Sequence, residues 1–213
     1  MSRLPQRIVC LTTETVEVLY ALGEQDRIAG ISGYTVRPPQ ARKEKPKVYA
    51  FTTGDIEKIL AVQPDLVLTF SDLQAAIARD LIKAGVPVYA FNTRSIDDIL
   101  GMVETLGRLV GAEAKAATLV GELEEQIAAT RAIAAERIGK TGHRPRVYFE
   151  EWDDPNITAV RWVSEMIEIA GGTNIFTERA ASPLARDRIL ADPLEVVRRD
   201  PEIIIGSWCG KHF

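Results

Sequence analysis

The chain has 213 residues, 46% of them hydrophobic and 26% charged, with a formal net charge of −4. That is ordinary for a globular protein and gives room for one large domain or two small ones. The acidic balance excludes a general attraction to nucleic acid or to an anionic membrane, both of which need a basic face, and no apolar run is long enough to span a bilayer.

The first segment, Met1 to Arg7, runs straight into a short strand at Arg7–Leu11. It lacks the roughly 7–15-residue apolar stretch of a secretion signal, so the chain as written reads as cytoplasmic or as separated from its leader. Thr13–Leu22 has helical spacing through Val16, Leu19 and Tyr20, and Gly23 suits its end. Ile28–Ser32 reads as a second strand, and Pro38-Pro39 marks a loop. Asp55–Val62 is a short helix, Pro64-Asp65 turns into the strand Leu66–Phe70, Leu73–Ala84 is a helix and Val86–Phe91 a strand. Short apolar strands without alternation, separated by amphipathic helices, predict a parallel sheet covered on both faces.

Ser95-Ile96-Asp97-Asp98 is similar to a capping box and opens a helix to about Val110. Ala112–Ile138 contains no proline, and Ala116, Leu119, Val120, Leu123 and Ile127 make one apolar stripe along it. Such a helix is about 40 Å long, more than one small lobe requires, and reads as a brace joining two lobes. Alternation then resumes with a strand at Arg146–Trp152, a helix at Val163–Ala170 closed by Gly171-Gly172, an extended piece at Asn174–Phe176, a helix at Pro193–Arg199 and a strand at Glu202–Gly206. The expected fold class is α/β, two Rossmann-like lobes joined by a long interlobe helix. The boundaries are residues 1–108, the helix 109–140 and residues 141–213. The last strand has no covering helix after it, so the second lobe reads as incomplete. Lys58 to Leu68 and Glu195 to Ile205 share one pattern of helix, Pro-acid turn and buried strand. The pattern alone leaves open whether this reflects two related lobes or the general form of any α/β unit.

Catalytic and metal chemistry find little support. The first strand–helix turn, Leu11-Thr12-Thr13-Glu14, has neither GxGxxG nor a P-loop lysine. No GxSxG or HExxH is present. His143 lies in a polar loop, and Cys209 with His212 supplies two ligands where a metal site needs three or four. Cys10 and Cys209 are not in a CxxC pair and read as reduced thiols. Glu150, Glu151, Asp153 and Asp154 surround Trp152; paired carboxylates can do acid–base work, but this cluster reads first as a solvated strand end. What remains are aromatic residues at the carboxyl ends of predicted strands: Tyr34, Phe51, Phe70, Phe91, Trp152 and Trp208. Ligands of open α/β sheets bind outside those ends, so this set lines a candidate pocket, with about half of it expected to be core.

These segments together resemble the helical-backbone class of periplasmic substrate-binding proteins of ABC importers. The resemblance is carried by Arg7–Leu11 with Thr13–Gly23, by Tyr34 with Pro38-Pro39, by Ile56–Leu60 through Pro64-Asp65-Leu66-Val67, and by Ile169–Phe176. It implies two lobes with a ligand between them, held without covalent chemistry, and the long helical brace predicts little lobe movement on binding. It also implies a monomer that is not an enzyme, has no cofactor and is located in the periplasm. Within the family the chain looks closest to the cobalamin binders, whose aromatic cleft residues fall at Tyr34, Phe51 and Phe70; Trp162 and Trp208 are candidates from the second lobe. The family docks a surface glutamate of each lobe onto its permease. Glu57 fits the first position, whereas the second position holds Leu194, with Glu195 one residue late. Two other readings stay open. One is an iron-siderophore or haem binder, favoured if Arg37 and Arg161 converge on the ligand. The other is a small-molecule enzyme on a Rossmann-like scaffold using Glu150, Glu151 and Asp153.

Overall fold

The computed structural model describes residues 4–50 and 56–208. The chain divides into two compact units, Met1–Thr93 with Asp97–Gly121, and Arg94–Ile96 with Glu122–Phe213.

The first unit runs β1 (Ile8–Cys10), α1 (Thr13–Ala21), β2 (Ile28–Ser32), α2 (Ala41–Glu44), β3 (Lys47–Tyr49), α3 (Ile56–Ala61), β4 (Leu66–Phe70), α4 (Ala75–Lys83), β5 (Val88–Phe91) and α5 (Ile96–Val110). The helix α6 (Glu113–Thr141) begins in the first unit and ends in the second. Its 29 residues make it about 43 Å long. The sheet has the order β3-β2-β1-β4-β5 with every pair parallel.

Strand alternation explains why helices must cover both faces. Ile8 and Cys10 of β1, with Leu66 and Leu68 of β4, join one core with Val16 and Leu19 of α1 and Met102 and Leu106 of α5. Val9 and Leu11 point the other way and pack with Val67, with Ile59 of α3 and with Leu81 of α4. Both cores are closed, since Ile8, Val9, Cys10 and Leu11 are all fully buried. The doubly covered parallel sheet expected from the apolar runs is therefore present.

The second unit contains β6 (Arg146–Asp153), β7 (Asn156–Thr158), α7 (Arg161–Ile169), β8 (Thr173–Asn174), α8 (Thr177–Ala180), α9 (Leu194–Arg198) and β9 (Ile203–Gly206). β6 is the hub, parallel to β8 and β9 and antiparallel to β7. The antiparallel pair departs from an all-parallel sheet. Asp154-Pro155 turns the chain straight back on itself, so no crossover helix intervenes. Val147 packs under Val163 and Ile167 of α7, while Tyr148 on the opposite face packs with Phe176 and Leu190. α7 ends as its Gly-Gly pair requires: Gly171 has φ +86°, and its N–H and that of Gly172 donate to the carbonyls of Glu168 and Ile167. Ile203, Ile204 and Ile205 of β9 remain 41%, 66% and 41% exposed.

The repeated helix–turn–strand pattern is a repeated physical device. Asp65 accepts the backbone N–H of Arg7 at 2.9 Å, and Glu202 accepts that of Arg146 at the same distance. In return, the Asp65 and Glu202 N–H groups donate to the carbonyls of Arg7 and Arg146. The Arg7 guanidinium caps the Val62 and Gln63 carbonyls, and that of Arg146 caps Asp200. Gln63 and Asp200, each directly before the proline, share φ +47°. Each unit thus clasps its first strand to its Pro-acid turn in the same way.

Candidate functional site

In the first unit the strand order reverses between β1 and β4, the place where open parallel sheets leave a crevice beyond their carboxyl ends. Gln74 ties the two strand ends together. Its Oε1 accepts from the Phe70 N–H at 2.9 Å, and its Nε2 donates to the Leu11 carbonyl at 3.2 Å. The side chain is 1% exposed, so this tie is made in a dry environment where each bond matters. Ser71 follows with φ 50° and ψ −171°, a backbone region unfavourable for any residue with a Cβ. Its hydroxyl accepts the Leu73 N–H at 3.3 Å and so helps to hold the turn. A rigid, strained corner thus fixes Phe70 at the end of β4, half-buried.

Tyr34 lies two residues beyond β2 and is 62% exposed, a large aromatic face in solvent at a strand's carboxyl end. Phe51 lies outside the described residues. Phe91, by contrast, is core at 6% exposure and stacks at an angle on Tyr89, which settles its part of the aromatic set as packing.

In the second unit the carboxyl ends of β6 and β9 lie side by side, and the Ser207 N–H extends their ladder by donating to the Glu150 carbonyl at 2.9 Å. That register places Trp208 beside Glu150, and its indole Nε1 donates to Glu150 Oε1 at 3.0 Å. Glu150 Oε2 accepts from the Tyr148 hydroxyl at 2.9 Å and from Asn156 Nδ2 at 2.8 Å. Burial pushes the Tyr148 phenol up, and the neighbouring Glu150 carboxylate adds to the shift. Glu151 pairs with Arg188, whose side chain is 3% exposed, at 2.5 Å, and Arg188 also donates to the Thr158 carbonyl. The acidic cluster is therefore a solvated strand end only in part, with Asp154 exposed. Its first two carboxylates are half-buried and engaged, because β7 and the 185–190 segment fold over them.

Trp162 sits in the first turn of α7 and is 38% exposed, with Met166 one turn on at 53%. Spacing of four residues puts the two on one helix face, an apolar strip in solvent. Glu57 is exposed in the first turn of α3. Glu195 is placed differently. Its carboxylate meets Arg199 at 2.6 Å and Arg179 at 3.5 Å, whereas Leu194 and Val197 of the same helix are exposed. Arg37 pairs with Glu17 at 3.4 Å and Arg161 with Glu165 at 2.9 Å, so each has a local anionic partner.

Sequence reasoning missed Gln74 and Ser71 as site residues, and it singled out Glu150 only as an acid–base candidate, not as the acceptor for Tyr148, Asn156 and Trp208. A lone glutamine or serine carries no signal in sequence, and Glu150 and Trp208 lie 58 positions apart. Among the described residues no group of three or more His, Cys, Asp and Glu could hold a metal ion, and no helix is long and apolar enough to cross a membrane.

The sequence profile of the periplasmic binding protein family matches residues 8–213. A cobalamin-binding protein of Halobacterium salinarum is 27% identical over 207 residues, covering 94% of this chain and 53% of its own. A vitamin B12-binding protein of Vibrio parahaemolyticus is 28% identical over 205 residues, covering 95% and 70%. The periplasmic heme-binding protein of Roseiflexus sp. RS-1 superposes with a TM-score of 0.77 at 26% identity, covering 94% and 76%. The chain spans about half the length of the Halobacterium relatives it matches, 53% in each strain.

Proposed function

This chain belongs to the periplasmic binding protein family, and from that premise we propose that it is the ligand-binding component of an ABC-type importer and takes cobalamin or a related corrinoid without covalent chemistry. The observation that carries this reading is the aromatic residues at strand and helix ends, with Tyr34 and Trp162 exposed and Phe70 and Trp208 half-buried. Tyr34 and Phe70 stand at the carboxyl ends of β2 and β4, Trp162 on the first turn of α7, and Trp208 beyond β9. Flat, rigid aromatic faces bind a planar macrocycle at low entropic cost, since they have few rotatable bonds to freeze. Relatives named for cobalamin or vitamin B12 favour a corrinoid over other macrocycles.

The polar groups agree with a ligand of low net charge. Arg37 and Arg161, the two cations that would favour an anionic iron chelate, each have a glutamate partner. Of the two glutamates considered for docking, Glu57 remains the candidate contact to a permease, and Glu195 is drawn back by Arg179 and Arg199. No enzymatic role is assigned: Glu150 and Glu151, the strongest acid–base candidates, already hold three neutral donors and one buried arginine. The working compartment is the periplasm, as in the family.

The test is a ligand panel read by tryptophan quenching, with cyanocobalamin, haem and a ferric siderophore titrated side by side. Saturable quenching by cyanocobalamin, at lower concentration than by the other two, supports the reading. Preference for haem would instead align the chain with its Roseiflexus neighbour. Binding of none at tens of micromolar would remove the proposal.

A further inference from the structure

We propose that Glu150 is a positioning residue for ligand binding, which sets the plane of the Trp208 indole so that its face is presented to the ligand. The proposal rests on the reading of Trp208 as a ligand contact and names the group that makes that contact work. Three donors from three parts of the second unit converge on this one carboxylate. They are the Tyr148 hydroxyl from β6, Asn156 Nδ2 from β7 and the Trp208 indole from beyond β9. Two of the donors use Oε2 and hold the carboxylate at that oxygen. Oε1 is left to take the Trp208 N–H at 3.0 Å.

An indole can rotate about two side-chain bonds, and packing alone on a half-buried site leaves it several rotamers. A hydrogen bond at its one polar atom removes most of them, because the N–H direction lies in the ring plane. The acceptor itself must not move, and here the opposite oxygen is held twice. Tyr148, 2% exposed, is anchored in turn by its edge-on contact with Phe176, ring centroids 5.7 Å apart. The chain of restraint therefore runs from the buried core, through Tyr148 and Glu150, to the Trp208 ring. Trp152 is held more locally, its indole donating to the Asp154 carbonyl in its own turn.

A carboxylate is better suited to this task than an amide. It accepts at both oxygens without a donor edge that would face Tyr148, Asn156 or Trp208. It also makes the stronger, charge-assisted bond. Glu150→Gln should therefore retain part of the arrangement and Glu150→Ala none of it.

The experiment has two readouts on the full chain. The three tryptophans give three indole signals in a proton–nitrogen correlation spectrum, with that of Trp208 assigned by Trp208→Phe. Glu150→Ala is expected to move the Trp208 signal and speed its hydrogen exchange, while the Trp162 signal stays in place. In cyanocobalamin titrations Glu150→Ala is expected to weaken binding several-fold, with Glu150→Gln in between. In the Trp208→Phe background Glu150→Ala should cost nothing further. An unmoved Trp208 signal, or losses that simply multiply in the double variant, would overturn the proposal. If wild type takes no corrinoid, the functional reading fails, while the indole signals still decide whether Glu150 positions Trp208. Should Glu150→Ala fail to fold, the Glu150→Gln comparison carries both readouts, with a displaced Trp208 signal and weaker binding expected.

Discussion

Gln74 shows how one residue can hold a site that it does not line. Its amide satisfies a backbone carbonyl after β1 and a backbone N–H at the end of β4, two groups that have no water to turn to. Replacing it with leucine leaves both stranded at about 1–3 kcal/mol for an unmet buried group. Gln74→Leu should therefore lower unfolding stability by about 2–6 kcal/mol for the two groups together, read from the urea midpoint, and loosen the Phe70 corner. Cys10 acts through charge instead. Burial in the first core pushes its thiol from an ordinary 9.0 up to about 12, and burial with the Glu44 hydrogen bond does the same to Tyr20, from 10.0 to about 12. The folded state keeps these protons and the unfolded chain gives them up sooner. Their stabilisation is whole below about pH 9 and is lost as pH rises toward about 12. Urea midpoints should fall across that window, and Cys10→Ala should flatten the lower part of the fall.

At the level of elements, the contrast between two glycines separates close packing from open surface. In α5, a methyl on Gly107 would overlap that of Ala116 on α6, with the Ala112 carbonyl also near. Gly121, inside α6, has nothing within 4 Å of such a methyl. Gly107→Ala should destabilise by about 1–3 kcal/mol through overpacking, and Gly121→Ala should stabilise by about 1 kcal/mol through helix propensity. Opposite shifts in thermal midpoint check the pair. The long, strongly periodic elements are legible in the amino-acid order itself: α1, α5, α6 and the strands β2 and β4 fall within a few residues of their sequence-predicted ranges. β3 and β7 are not. Each has only three residues, β3 sits in the Lys- and Pro-rich stretch before Val48, and neither is long enough to show a period. The antiparallel return of β7 follows from a tight turn that apolar periodicity does not report.

For the molecule as a whole, the fold class and the family are readable because they rest on the order of many weak signals. The Arg-to-acid clasp recurs with matching bonds at Arg7–Asp65 and Arg146–Glu202, so the sequence echo does have a structural counterpart in each unit. The candidate site is legible only in part. Tyr34, Phe70, Trp162 and Trp208 can be named from their places at element ends, but which group fixes each ring depends on contacts far apart in the chain. Phe91 has the same sequence position as Phe70 and is core, since only burial separates the two. The central proposal is that Tyr34, Phe70, Trp162 and Trp208 suit this chain to take a corrinoid. Isothermal titration with cyanocobalamin tests it most directly, comparing wild type with Tyr34→Ala, a change at an exposed residue that leaves both cores of the first unit intact. Saturable binding by wild type that weakens at least several-fold in Tyr34→Ala is the predicted result. Equal affinity in the two proteins, or no heat of binding in either at tens of micromolar ligand, would contradict it.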